Sequence, residues 1–215
     1  GLERLRGLFQ QGYLQSYSFE YTRAVESLQR VLEGLQGLPH SPERWDLFVR
    51  SHLFLGIARA GLKDQEAALR AFAVVLRTRP GMRLTRKEYA PRIIRLFEKA
   101  RDRLEAMPRS KLVVETEPSA AAVFLDGVKV GESPHITRLP QGRYHLRVEH
   151  EETGDASRWI QIGESTARVR FQLSFEGALD LRRAHPLIRL PAGEADLPLH
   201  WWAWLGARLG IRHLI

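Results

Sequence analysis

The chain has 215 residues, of which 44% are hydrophobic and 27% are charged, and this is the usual composition of a folded globular protein. It contains no cysteine, which excludes disulfide frameworks, thiolate metal sites and cysteine nucleophiles. No run of eighteen apolar residues occurs, so the sequence predicts no helix that spans a bilayer.

The formal net charge is +8, and the basic excess lies in the first half of the chain, mainly from Arg77 to Arg103. A basic surface of this kind attracts nucleic acid, anionic lipid or an acidic partner. Asp and Glu are interleaved with the arginines, however. This pattern favours solvated helix faces with salt bridges over a stripe that follows phosphates.

Apolar residues recur at helical spacing as far as Met107, and after that they alternate with polar ones. This change predicts a helical domain over residues 1–107 and a β domain over 111–175. Ser41 and Asp64 have the residue types and positions of helix N-caps. We predict five helices, over residues 2–17, 21–34, 43–60, 65–78 and 87–106.

The helical region repeats one pattern of small and large residues. In each copy a glycine precedes an alanine by twelve residues, and a large apolar residue follows four residues later. The small residues let two helix backbones approach closely, and the large side chain fills the space beside them. This pattern resembles the tetratricopeptide repeat (TPR). The residues that carry it are Gly12, Ala24, Gly56, Ala68, Phe72 and Pro80.

The resemblance implies a groove, lined by the first helix of each pair, that binds a segment of a partner protein. Arg6 and Arg50 precede Gly12 and Gly56 by six residues each and can hold an acidic segment by charge-assisted hydrogen bonds. The alternative is that the aromatic residues belong to the core and that the C-terminal part of the chain fills the groove. The implied groove residues are Arg6, Phe9, Tyr13, Tyr17, Arg50, Leu53, Phe54 and Ile57.

Beyond Pro108, short stretches alternate apolar and polar residues between Gly, Pro or Asp. They predict five to seven strands in a small antiparallel β-sandwich. Asp126 and Gly127 stand between the apolar stretches 123–125 and 128–130, and Asp-Gly is a typical hairpin turn. The predicted fold class is therefore α+β in separate domains, with TPR-like helical hairpins first and the β-sandwich second.

Several motifs follow one another along the β region: a proline before the second strand, Asp-Gly in the hairpin, Gly-x-Ser-Pro, and Leu-x-x-Gly. Their order resembles the PEGA domain, a small β module found on bacterial envelope proteins. The resemblance implies a periplasmic or outer-membrane-associated protein, with the cytoplasm as the alternative. The residues that carry it are Pro118, Asp126, Gly127, Gly131, Pro134 and Gly142.

The last segment, residues 176–215, is predicted to be an extended tail with a short helix near its end. Trp201, Trp202 and Trp204 stand almost together there. One interpretation is an anchor for a membrane interface or a partner, where tryptophan is enriched. The other is a helix that docks on the helical domain and covers its open apolar end.

No nucleophile elbow, Walker loop, dinucleotide fingerprint or paired metal-binding histidines occur in the sequence. We therefore predict no enzyme activity, no cofactor and no bound metal. The main hypothesis is a scaffold or adaptor that binds a protein through its helical domain and another envelope component, protein, polysaccharide or membrane surface, through its β domain. One alternative is a regulatory or sensory module of a larger enzyme or signalling chain. A second, less favoured, is binding of nucleic acid or anionic lipid by the basic face 77–103.

Overall fold

The computed structural model describes residues 1–38, 40–176, 179–180 and 187–188, with side chains over 1–38 and 40–174. The predicted fold class is confirmed, because five helices precede a β region of two sheets. No helix in the described part of the chain has the length and apolar character needed to cross a membrane. The five helices are α1 Leu2–Tyr17, α2 Tyr21–Gln36, α3 Pro42–Gly61, α4 Gln65–Thr78 and α5 Pro91–Ala106.

Two helix starts follow directly from the predicted caps. The Ser41 hydroxyl accepts a hydrogen bond from the Arg44 amide at 3.1 Å, and the Asp64 carboxylate accepts one from the Ala67 amide at 3.1 Å. Each bond satisfies an amide that has no partner within its helix. Both cap predictions are confirmed.

The predicted start of the fifth helix at residue 87 is wrong, since α5 begins at Pro91. Ala90 is extended, with φ −61° and ψ 143°, because the ring of a following proline disfavours helical geometry at the preceding residue. Pro91 itself suits the first helical position, where its missing amide hydrogen has no partner to lose.

The helices stack in chain order, each against the next, and α1 also contacts α3. Gly12 faces Leu28, and a Cβ on Gly12 would lie 2.9 Å from Leu28 Cγ. Gly56 faces Phe72 in the same way, and a Cβ on Gly56 would overlap the Phe72 ring. Ala24 and Ala68 are fully buried beside these contacts. The repeated small residues therefore sit where two helices come closest.

The β region contains seven strands in two sheets. One sheet has the order β4-β1-β7 and the other the order β3-β2-β5-β6. The strands are β1 Arg109–Glu117, β2 Ala122–Leu125, β3 Val128–Glu132, β4 His135–Pro140, β5 Gly142–His150, β6 Gly154–Ile162 and β7 Ala167–Gln172.

One pairing departs from the antiparallel prediction, because β1 and β7 run parallel, with Leu112 opposite Ala167. The chain passes through the other sheet between them and returns in the direction of β1. The alternation of apolar and polar residues shows which face of a strand is buried, but it does not show in which direction the strand runs. The β domain was predicted to extend to residue 175, but its last strand ends at Gln172, since residues 173–176 form a helical turn, α6 Leu173–Glu176.

The predicted hairpin at Asp126 and Gly127 joins β2 to β3. Both residues have positive φ, 47° and 81°, which is the conformation that a tight two-residue turn requires. The inner faces of the two sheets meet in a core of fully buried side chains. These include Leu112, Val114, Val123, Leu146, Val148, Ile162 and Phe171.

The helical and β regions touch through an aromatic cluster. The Trp45 ring of α3 lies 5.6 Å from the His145 ring of β5, and the His145 ring lies 5.0 Å from that of Trp159 in β6. Gly127 sits against Trp45, and a Cβ there would come within 2.6 Å of the indole. The hairpin turn of the β region therefore rests directly on helix α3.

Little of the tail falls within the described residues. Leu179–Asp180 (β8) pairs antiparallel with Leu187–Ile188 (β9). The predicted Trp-rich helix, with Trp201, Trp202 and Trp204, lies outside the described residues.

Candidate partner-binding groove

An aromatic ladder runs along α1 and contacts α3. Phe9, Tyr13 and Tyr17 are four residues apart, so they lie on successive turns of one helix face. The Phe54 ring of α3 lies 5.9, 4.8 and 6.3 Å from these three rings. The predicted groove residues Phe9, Tyr13, Tyr17 and Phe54 therefore form one cluster.

The far end of this ladder opens into a cavity of about 260 Å³ between α1, α3 and the start of α5. Its wall is largely aromatic and aliphatic, with Glu88 and Arg92 as its charged residues. The lining residues are Ser16, Tyr17, Phe19, Tyr21, Phe54, Ile57, Ala60, Gly61, Glu88, Tyr89, Ala90, Arg92 and Ile93. We call this cavity the groove.

Two tyrosines keep neutral hydroxyls at the groove. Burial, and then a hydrogen bond with Tyr13, raise the pKa of Tyr17 above its ordinary value. Burial, and then the charge of Glu88, raise the pKa of Tyr89. Both hydroxyls stay protonated near neutral pH and can donate hydrogen bonds to carbonyl groups of a bound peptide.

Two lining residues show exposed aromatic surface: Tyr17 is 56% and Phe19 is 77% exposed. Phe19 has a φ of 62°, a left-handed conformation that is rare for a bulky residue. Its ring makes an edge contact with Tyr21 at 6.0 Å. Exposed aromatic rings at a cavity mouth are typical of binding surfaces.

The predicted arginines lie at a different place. Arg6, Phe9 and Arg50 line a second, open cleft of about 550 Å³ together with the acidic residues Glu43 and Asp46. The Arg50 guanidinium stacks 4.7 Å from the Phe9 ring centroid, and its Nη1 lies 3.8 Å from Asp46 Oδ2. Because these acids share the cleft, its arginines are partly neutralised.

The eight predicted groove residues thus separate into three groups. Tyr17, Phe54 and Ile57 line the groove, while Arg6, Phe9 and Arg50 line the open cleft. The third group is the helical core, which contains Leu53 and against which Tyr13 packs. The rings of Phe9 and Phe54 are buried in the same core, so these two aromatic residues also serve the fold, as the alternative interpretation expects.

Sequence reasoning missed most of the groove wall. Phe19 and Tyr21 lie in and after the turn between α1 and α2, outside the first helix of the pair. Glu88 and Arg92 come from the segment around the start of α5, which the pattern of two repeats did not include. The one available signal was the aromatic residue Tyr89, which falls within the fifth helix predicted over residues 87–106.

Several arginines of the basic run from Arg77 to Arg103 form ion pairs within the chain. Arg79 Nη2 lies 2.7 Å from Asp46 Oδ1, and Arg103 Nη1 lies 2.8 Å from Glu66 Oε2. These pairs support the salt-bridged interpretation of the basic face. Over the described residues, no three His, Cys, Asp or Glu side chains come together as a metal site.

The family model of the PEGA domain matches residues 109–178. The match begins at the first residue of β1 and includes all seven strands of the two sheets. It confirms the resemblance of the β region to the PEGA domain. No curated protein and no solved structure gives a significant match to the chain.

Proposed function

We propose that this protein is a non-enzymatic adaptor of the bacterial cell envelope, whose TPR-like helical region binds an extended segment of a partner protein in the groove. The observation that carries the proposal is the aromatic-walled cavity of about 260 Å³ at the end of the Phe9–Tyr17 ladder. The corresponding close contacts of Gly12 with Leu28 and of Gly56 with Phe72 support the TPR-like repeat.

The chemistry of the groove suits a peptide with apolar anchors. Aromatic side chains supply much of the binding energy at protein interfaces, because they bury a large area with few rotatable bonds. The Tyr17 and Tyr89 hydroxyls and the Glu88 carboxylate, all at the groove, offer hydrogen bonds to an extended backbone. An extended backbone needs such partners since it has no internal hydrogen bonds.

The PEGA match supports the envelope location and a second contact surface in the β region. Large hydrophobic side chains are exposed on two edge strands: Val128 at 44% and Val130 at 37% on β3, and Ile136 at 60% on β4. Exposed edge strands with apolar side chains are typical places for contact with another chain. In this proposal they contact a further envelope component.

A photo-crosslinking residue at position 90, on the groove rim, tests the proposed function. The full chain is mixed with an envelope extract of its host and irradiated. We expect a small set of defined protein adducts. Tyr17→Ala should reduce them about tenfold, the effect of losing a contact of about 1.4 kcal/mol.

Leu14→Ala is the matched control, because Leu14 is on the same helix and is 53% exposed but does not line the groove. It should leave the adducts unchanged. Adducts that persist in Tyr17→Ala, or that are lost equally in Leu14→Ala, contradict binding in the groove.

A further inference from the structure

We propose that a short extended segment of a partner chain pairs with β3 as an added strand, at the side of the β-sandwich where β3 borders an apolar cavity. The segment carries no net charge and alternates apolar with polar residues. The inference rests on the proposed function, since it names the kind of partner that the second contact surface, in the β region, takes. It is carried by the open edge of β3, by the cavity beside it and by the closure of the opposite side of the sandwich.

The two sides of the β-sandwich differ in what covers them. On one side, α6 contacts β1, β6 and β7, and its residue Leu173 is fully buried in the core between the sheets. The other side is formed by the edge strands β3 and β4. All three exposed large hydrophobic side chains of the described β region lie on these two strands: Val128, Val130 and Ile136. The β3 side therefore lacks the cover that α6 gives to the opposite side.

A cavity of about 390 Å³ lies between β3, the end of β4 and the helices α4 and α5. Val128 and Val130 are two residues apart, so they are on one face of β3, and both line the cavity. The rest of the apolar wall comes from both regions of the chain and includes Leu76, Leu104, Leu125 and Leu139. Because this wall is largely apolar, the cavity can take apolar side chains from a strand placed beside β3.

The backbone of β3 is open to such a strand. β3 pairs with β2 and is the outermost strand of its sheet, so within the described chain the amide and carbonyl groups on its outer side face no other strand. All five residues from Val128 to Glu132 are exposed or half-buried. An added strand would satisfy those groups by main-chain hydrogen bonds over roughly 17 Å, and every second side chain of that strand would face the cavity.

The neighbouring edge strand β4 is less suited to this pairing. Pro140, which lines the cavity, has no amide hydrogen to donate to an added strand. Ile136, the exposed hydrophobic residue of β4, does not line the cavity. The partner segment is therefore expected on β3.

The charges around the cavity balance, and this balance favours a neutral segment. The charged lining residues are Arg77, Arg101, Arg109, Glu105 and Asp126. Arg77 pairs with Asp126, and Arg101 pairs with Glu98. Arg109 and Glu105 remain, one charge of each sign. A partner segment with a net charge therefore finds no excess of opposite charge at this cavity.

A synthetic peptide of alternating threonine and valine, with blocked ends, tests the inference as a neutral probe strand. It is titrated to millimolar concentration into the full chain labelled with ¹⁵N, and the backbone amides are followed by NMR. We expect saturable shifts at the amides of Val128–Glu132 and no shifts on β7, at the closed side of the sandwich. The same peptide with its internal amides N-methylated keeps its apolar side chains but cannot pair as a strand, and it should bind at least tenfold more weakly.

Two variants of the full chain locate the bound peptide. Val130→Glu places a charge at the apolar cavity and should weaken peptide binding at least tenfold. Ile136→Glu is the matched control, because it makes the same change at an exposed residue of β4 outside the cavity, and it should leave binding unchanged. Thermal unfolding checks that both variants keep the fold.

Three outcomes overturn the inference. One is the absence of saturable shifts on β3, and another is equal affinity of the native and N-methylated peptides, which indicates an apolar ligand site without strand pairing. The third is a native chain that dimerises in sedimentation equilibrium and becomes monomeric in Val130→Glu, which assigns the edge to a second copy. The comparison of the two peptides uses the native chain, so it decides the question even if Val130→Glu fails to fold.

The same variants separate this inference from binding in the groove. Tyr17→Ala should leave peptide binding at β3 unchanged, and Val130→Glu should leave the partner adducts at position 90 unchanged. Absence of peptide binding with intact, Tyr17-dependent adducts refutes the added strand alone. Peptide binding at β3 without any partner adduct refutes binding in the groove and leaves the added strand standing.

Discussion

Arg77 of α4 places its Nε 3.6 Å from Oδ2 of Asp126 in the β2–β3 turn, and the two side chains are only 14% and 4% exposed. Asp126 Oδ1 also accepts the His145 amide at 2.9 Å. Arg77 donates to the Arg143 carbonyl at 2.9 Å, and its guanidinium lies 4.3 Å from the Tyr144 ring centroid. This buried pair joins the helical and β regions.

The two members of the pair should not contribute equally to stability. Burial raises the pKa of Asp126 although the charge of Arg77 opposes that shift, so desolvation of this carboxylate outweighs its attraction to Arg77. Arg77→Met leaves the carboxylate buried without a counter-charge, and we expect the free energy of unfolding to fall by about 3 kcal/mol. Urea denaturation followed by tryptophan fluorescence measures the change.

The variant Asp126→Asn tests the other member of the pair. Asparagine tolerates positive φ and can still accept the His145 amide, and Arg77 keeps its carbonyl and ring contacts. We expect a loss below about 1 kcal/mol. In the double variant, most of the Arg77→Met loss should be recovered, because no buried carboxylate remains. Equal losses in both single variants contradict this asymmetry.

His145 should make the contact between the two regions sensitive to acid. Its ring is packed between Trp45 and Trp159, and burial, followed by the charges of Arg44 and Arg147, lowers its pKa to about 4. The unfolded chain binds this proton near pH 6.5, whereas the folded chain does not until about pH 4. Stability therefore falls as the pH drops from about 6.5 to 4, by on the order of 3 kcal/mol.

Urea midpoints between pH 7 and pH 4.5 measure this dependence. His145→Gln, which cannot take up a proton, should give a shallower dependence on pH over the same range. Other groups also titrate there, so the comparison of slopes is the relevant measurement. A slope as steep as that of the native chain excludes His145 as the cause.

Substitution by alanine should change the free energy of unfolding in opposite directions at Gly56 and Gly7. A Cβ on Gly56 overlaps the fully buried Phe72 ring, so Gly56→Ala should lower the free energy of unfolding by about 1–3 kcal/mol. Gly7 lies inside α1 with no atom within 4 Å of a Cβ, and Gly7→Ala should raise it by about 0.5–1 kcal/mol. Thermal unfolding of both variants compares them directly. A destabilised Gly7→Ala chain contradicts the helix-propensity argument.

Local chemistry accounts for the features of the fold that were predictable. Ser41, Asp64 and the Asp126–Gly127 turn were identified correctly because capping and turn formation depend on a few adjacent residues. The bounds of α1 and α4 agree with the prediction for a similar reason, since apolar spacing and flanking residues define both ends.

Contacts between distant residues account for what was missed. His145 contacts Trp45 across one hundred residues of sequence, and no periodicity connects a strand residue to a helix in another region. The parallel pairing of β1 with β7 is equally invisible to local patterns. The groove was predicted in part, because the spacing of Phe9, Tyr13 and Tyr17 within one helix is visible in the sequence. Glu88 comes close to this groove only through the packing of the helices, which the sequence does not show.

The turns of the two helical hairpins have equivalent backbone conformations. Variants in the two turns can therefore show whether a residue there serves stability or binding. Phe19 and Lys63, 44 residues apart like Gly12 and Gly56, have φ values of 62° and 64°. A residue with a side chain is strained at this φ and glycine is not. We therefore expect Phe19→Gly and Lys63→Gly each to raise the free energy of unfolding by about 1 kcal/mol in urea denaturation.

The two variants should differ in how well they bind the partner. Phe19 lines the groove and is 77% exposed, so Phe19→Gly removes part of the binding surface, whereas Lys63 does not line it. Partner adducts at position 90 should fall about tenfold in Phe19→Gly and remain unchanged in Lys63→Gly. This result would show that a strained aromatic residue is kept at the turn for recognition. If Phe19→Gly is instead destabilised, the edge contact of Phe19 with Tyr21 outweighs the strain and the ring serves the fold.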